Sequence, residues 1–103
     1  MKHTEKDILD KAKIVIEEAC THVGYQMGRV IFHEKERVHY GKYKGQILST
    51  WVVTIEVISV LGKDYDTDDF ITINDEDGEP LHYQTKHQTF EFEKTDNVYS
   101  LKL

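Results

Sequence analysis

Six histidines, one cysteine and a dense run of carboxylates are the groups in this 103-residue chain that could carry chemistry. The histidines are His3, His22, His33, His39, His82 and His87. A zinc site draws on ligands at short spacing, usually with cysteine among them. On a strand, His33 and His39 share a face but stand roughly 20 Å apart at about 3.3 Å per residue. His82 and His87 have opposite parity. Surface histidines fit these spacings better than a metal site, and no tightly bound metal is expected. Asp64-x-Asp66-x-Asp68 opens like a calcium loop. The glycine that such a loop needs at its sixth position is Asp69, the twelfth position is Asp75 rather than Glu, and a strand-like segment follows instead of a helix. Cys20 falls near the end of a helical pattern, where the helix dipole opposes a thiolate, so a structural thiol is expected there. No nucleophile elbow, phosphate loop or dinucleotide fingerprint is present, and Gly24 and Gly28 read as turn and strand glycines. No catalytic residue and no cofactor is expected.

Charge is the sharper signal. From Asp64 to Glu79 there are eight acids and no lysine or arginine: Asp64, Asp66, Asp68, Asp69, Asp75, Glu76, Asp77 and Glu79. Asp77-Gly78 alone satisfies the geometry of a turn. The remaining acids exceed that need, and their mutual repulsion works against the compact state. The bland explanation is solvated loop. The functional one is a surface that meets a basic partner and steers it from a distance. Lys35, Arg37, Lys42 and Lys44 lie among Tyr40 and Tyr43, but a formal net charge of −6 opposes nucleic-acid binding through them.

The elements that must position these groups follow from hydrophobic period. Ile47 to Leu61 is the longest apolar run and is rich in β-branched residues, which suit a pleated strand. Trp51, Val53, Ile55 and Val57 form one apolar face, while Thr50, Val52, Thr54, Glu56 and Ile58 form a mixed one. The run is too short and too polar for a membrane span. Upstream, Ile8, Leu9, Ala12, Val15, Ile16, Ala19 and Val23 make a helical stripe from Glu5 to His22. Thr4 to Asp7 serves as a capping-box-like start and Gly24 as a stop. Gln26 to Tyr40 reads as a strand whose middle, at Glu34 and Glu36, is an edge or a bulge. Gly41 to Gly45 reads as a hairpin loop, Lys63 to Asp69 as a loop, Phe70 to Asn74 as a strand, and Asp75 to Pro80 as a turn. Leu81 to Glu93 is extended with a bend near His87, and Asn97 to Leu103 adds a last edge segment.

These segments predict a single domain, residues 1–103, of α+β class. One N-terminal amphipathic helix packs on a four- to five-stranded antiparallel meander. The lone cysteine excludes an intrachain disulfide, and the charged Met1 to Asp10 does not read as a signal peptide, so a cytoplasmic setting is expected.

The helix Lys11-Ala12-Lys13 to Glu17-Glu18-Ala19, the strand Trp51 to Val57 and the segment Phe70 to Leu81 together resemble a PepSY-type domain of cystatin-like architecture. That resemblance implies a non-catalytic binding role. The protease-binding loop of true cystatins, Gln-x-Val-x-Gly, is absent, so protease inhibition is not implied. The expectation is a non-enzymatic, immunity- or inhibitor-like protein module. Its partner is a protein with a basic surface, or a second copy joined through an exposed strand edge. Neither nucleic acid nor membrane is expected as a partner. The alternative is an NTF2-like small-molecule binder or enzyme, with a pocket between helix and sheet near Trp51 and Tyr83.

Overall fold

Thr4 and Asp7 exchange hydrogen bonds at the start of the helix, Asp7 N–H to Thr4 Oγ1 at 3.2 Å and Thr4 N–H to Asp7 Oδ2 at 3.1 Å. The Thr4 backbone N–H first, and then the Thr4 side chain, hold the Asp7 carboxyl below its ordinary range. The capping pattern thus fixes where α1 (Glu5–Ala19) begins. The computed structural model describes residues 2–19, 24–38, 44–58, 67–85 and 88–102. The expected last turn of the helix, through His22, lies outside them. Six strands follow: β1 (Gly24–Arg37), β2 (Ile47–Ile58), β3 (Thr67–Asn74), β4 (Pro80–Gln84), β5 (Thr89–Thr95) and β6 (Val98–Lys102). They form one antiparallel sheet in the order β1-β2-β3-β4-β5-β6, a plain meander.

Six strands, not four to five, is a correction. Leu81 to Glu93 is two strands and not one bent one. Thr85 N–H donates to the Gln88 carbonyl at 2.8 Å, and Thr85 Oγ1 both donates to that carbonyl and accepts from Gln88 N–H. The chain therefore reverses completely, which explains why Tyr83 and Phe90 have opposite sequence parity yet pair directly and share a face. Asp96 and Asn97, at φ 52° and 65°, close the next two-residue hairpin and bring β6 back along β5. β3 also starts earlier than Phe70, because Asp68 and Asp69 pair with Glu56 and Ile55.

One face of the sheet is dry. Ile8, Ala12, Val15 and Ile16 of α1 pack with Trp51, Val53, Ile55, Ile71, Ile73, Tyr83 and Tyr99, all at most 5% exposed. The Trp51, Val53 and Ile55 row meets the helix as its alternation predicts. The side chain of Val57 lies outside the described residues. Met27, Val30 and Phe32 of β1 and Phe90, Phe92 and Leu101 of β5 and β6 are half-buried at the margins of the cluster. Two bulges interrupt β1, at Gly28–Arg29 and at Glu34–Lys35, the second with Lys35 at φ 54°. This is the irregularity that Glu34 and Glu36 foreshadow. No helix among the described residues is long and apolar enough to cross a membrane.

Ile16 is 1% exposed at the centre of the helix–sheet contact. Ile16→Ala should lower unfolding stability by about 2–5 kcal/mol in a urea titration followed by Trp51 fluorescence.

Candidate interaction surface

The acidic stretch separates into carboxylates that face inward and carboxylates that face solvent. Parity decides much of this. Asp69, Ile71, Ile73 and Asp75 share one parity, so the two aspartates flank two core isoleucines at the ends of β3.

Asp75 is 3% exposed and collects three N–H donors. The Trp51 indole Nε1 donates to Oδ1 at 2.8 Å, His3 N–H to Oδ1 at 3.1 Å, and Lys2 N–H to Oδ2 at 2.7 Å. His3 Nδ1 donates to the Asp75 backbone carbonyl at 2.7 Å. Burial pushes this carboxyl up, but the bonds from Trp51, Lys2 and His3 outweigh it, and the net shift is downward. The turn beneath is stapled by its own side chains, with Glu76 N–H on Asn74 Oδ1 and Glu79 N–H on Asp77 Oδ1. Gly78 stands at φ +71°, and a Cβ there would come within 2.9 Å of His3 Nε2.

Asp69, 8% exposed, accepts the Tyr83 hydroxyl at 2.5 Å. Burial raises its carboxyl above the ordinary value more than the tyrosine bond lowers it. Glu79 is half-buried and accepts the Tyr99 hydroxyl at Oε2. Lys94 and Lys11 stand 3.6 Å and 3.9 Å from Glu79 Oε1, and both ammoniums also lie over the Tyr99 ring. Burial first, then the bond to Glu79, holds the Tyr99 phenol well above its usual range. Asp69, Asp75 and Glu79 are thus engaged by the fold itself.

Asp68, Glu76 and Asp77 face solvent. Glu76 pairs with Lys2 Nζ at 2.6 Å, an exposed contact that contributes little. Asp68 lies at the start of β3 and Glu76–Asp77 beyond its end, with roughly 20 Å of strand between them at about 3.3 Å per residue. Asp64 and Asp66 lie outside the described residues. So do Cys20, His22, His39, His87 and the Tyr40–Tyr43 part of the basic stretch. Among the described residues, no group of three or more His, Cys, Asp or Glu side chains is placed to share a metal ion.

The structure adds one acid to the exposed set. Glu56 on β2 sits directly across from Asp68, both exposed, on the face away from α1. Only strand register brings them together, since they are distant in sequence. Their opposite placement could have been found only by pairing β2 with β3 at Val53–Ile71. The ties of Lys11 and Lys94 to the Tyr99 corner, and that of Glu18, which accepts the Tyr99 backbone N–H, carry no sequence signal at all. Compared with models of protein families, with curated proteins and with solved structures, the chain matches none.

The two inward aspartates have opposite linkage to pH. Asp75, depressed below its ordinary value of 3.8, binds its proton more tightly in the unfolded chain. Its contribution to stability is present above that value and is lost as pH falls through the folded pKa. Asp69, raised above 3.8, binds its proton more tightly in the folded chain, so it costs stability as pH rises through its folded pKa. Urea titrations at stepped pH should show Asp75→Asn flattening the acid limb below about pH 4. Asp69→Asn should remove a decline in stability just above that limb.

Proposed function

We propose that this chain is a non-enzymatic, cytoplasmic binding module that recognises a protein with a basic surface. Its contact centres on the helix-free face around Glu56 and Asp68. The observation that carries this is the Glu56–Asp68 pair. Two exposed carboxylates stand directly opposite each other on neighbouring strands, an arrangement that destabilises a sheet. Asp75, Asp69 and Glu79 have structural partners that account for them, whereas Glu56 and Asp68 stand as like charges directly opposite each other. Asp64 and Asp66 precede Asp68 in the sequence. A site that costs stability and carries a concentrated field suits electrostatic steering.

The layout-level resemblance to PepSY-like domains points to the same non-catalytic role. The space between helix and sheet where an NTF2-like pocket would open is occupied by Ile8, Ala12, Val15, Ile16, Val53, Ile55, Ile71 and Ile73. That packing favours binding at the surface over binding in a cavity.

The test uses the partner retained by the full chain from extracts of its own cells. Association should slow as salt rises, because the Debye length shrinks from about 30 Å at 0.01 M to about 10 Å at 0.1 M. Glu56→Gln with Asp68→Asn should slow association at low salt about tenfold, within the range electrostatic steering spans. Melting temperature should hold or rise slightly. An on-rate indifferent to both salt and the double substitution would assign these acids to solubility alone.

A further inference from the structure

A meander leaves two edges, here β1 and β6, and the chain finishes them differently. α1 packs chiefly along β6. Glu18 Oε1 accepts the Tyr99 backbone N–H at 3.0 Å, which occupies a donor that an added strand would need. The Tyr99 ring itself lies beneath Lys11 and Lys94. On the β6 edge the helix lies alongside the strand and takes up the Tyr99 donor.

Among the described residues, the β1 edge is finished by neither device. The helix packs on it only lightly. Met27, Val30 and Phe32 on its dry side are only partly buried, and Ile31 on the other side is 39% exposed. Apolar side chains on both faces of an edge strand are what a further strand would cover. The bulges at Gly28–Arg29 and Glu34–Lys35 divide β1 into regular runs at Gly24–Met27, Val30–His33 and Glu36–Arg37, of which Val30–His33 is the middle one. Alternate residues of an antiparallel strand turn their N–H and C=O groups to opposite sides. Two of these four residues therefore bond to β2, and two present their backbone outward.

We propose that β1 is a dimerisation edge. Two copies of the chain pair antiparallel along Val30–His33, centred on Ile31, and the two sheets become one. A second copy is the occupant that the charge distribution favours. The chain as a whole carries −6, yet β1 sets Arg29, Lys35 and Arg37 against Glu34 and Glu36. Two acidic molecules can meet there without stacking like charge. A two-fold at Ile31 brings Arg29 of each copy alongside the His33–Glu34 end of the other, a self-complementary arrangement. The short regular run makes the dimer reversible. This proposal is independent of the Glu56–Asp68 contact, and either can fail without the other.

Sedimentation equilibrium of the full chain over a wide range of concentration should show a reversible monomer–dimer equilibrium. Ile31→Lys places an introduced ammonium against its own copy at the two-fold. It should weaken the dimer by at least about tenfold, equivalent to 1.4 kcal/mol. Trp51 fluorescence and the far-ultraviolet spectrum of the monomer should not change. Arg29→Glu should weaken the dimer, and adding Glu34→Arg should restore it. In the unaltered chain, two of the four amides from Val30 to His33 should gain hydrogen-exchange protection as concentration rises, so the test stands even if a variant fails to fold. A monomer at every concentration would overturn the proposal. So would a dimer insensitive to Ile31→Lys, or one whose concentration-dependent protection falls elsewhere.

Discussion

The buried carboxylate of Asp75 is the constraint on which the rest of this structure depends. Trp51 buries its ring within β2, and its indole N–H must find an acceptor inside the protein. Asp75 supplies it. An isolated carboxylate would not survive that environment, and the two backbone N–H groups of Lys2 and His3 complete its shell. The segment just ahead of the helix is thereby tied to the β3–β4 turn, and the entry of α1 onto the sheet is set. Farther along, Glu18 and Glu79 meet Tyr99 from two directions and hold the helix flank against β6. Acidic residues, which composition alone would assign to solvent, are the fasteners between the helix and the sheet.

This changes what the charge of the chain means. Among the described acids of this stretch, Asp75, Asp69 and Glu79 are committed to internal bonds, to Trp51, Tyr83 and Tyr99 respectively. Asp77 is shared between solvent and the turn it staples. Net charge overstates the acidity available to a partner, and it hides where that acidity is concentrated. The Glu56–Asp68 pair is half contributed by a strand outside the acidic stretch. The helix-free face on which it lies is otherwise moderate in character, with Val52, Thr54, Phe70 and Thr72 half-exposed.

Much of the fold was legible in the residues. The Ile8–Ala12–Val15–Ile16 stripe and the Trp51–Val53–Ile55 alternation each specify a face, and two such faces have few ways to satisfy each other. Glu34 and Glu36 in an apolar parity announced the β1 bulge. The reversal at Thr85–Gln88 was harder, because a bulge and a tight turn both switch parity. The deciding bonds between Thr85 and Gln88 use residues with no strong turn preference. The candidate site was legible only in part. Parity alone places Asp69 and Asp75 with Ile71 and Ile73, a signal that a count of charges passes over. Glu56 opposite Asp68, and Glu18 beneath Tyr99, depend on register and on the docking angle of the helix, which no local pattern encodes.

The bonds that seat the helix also order events in time. Lys2 and His3 reach a carboxylate more than seventy residues away, and Glu18 reaches a backbone amide eighty-one positions on. The sheet, by contrast, is made of neighbours, each hairpin able to close as soon as its two strands exist. Along this stretch of chain the helix comes before its docking surface, and β6 completes that surface. Until β6 arrives, the Ile8–Ile16 stripe has only an unfinished sheet to rest on. The amphipathic helix precedes every strand it packs on, and its apolar stripe is fully covered only when the last hairpin closes.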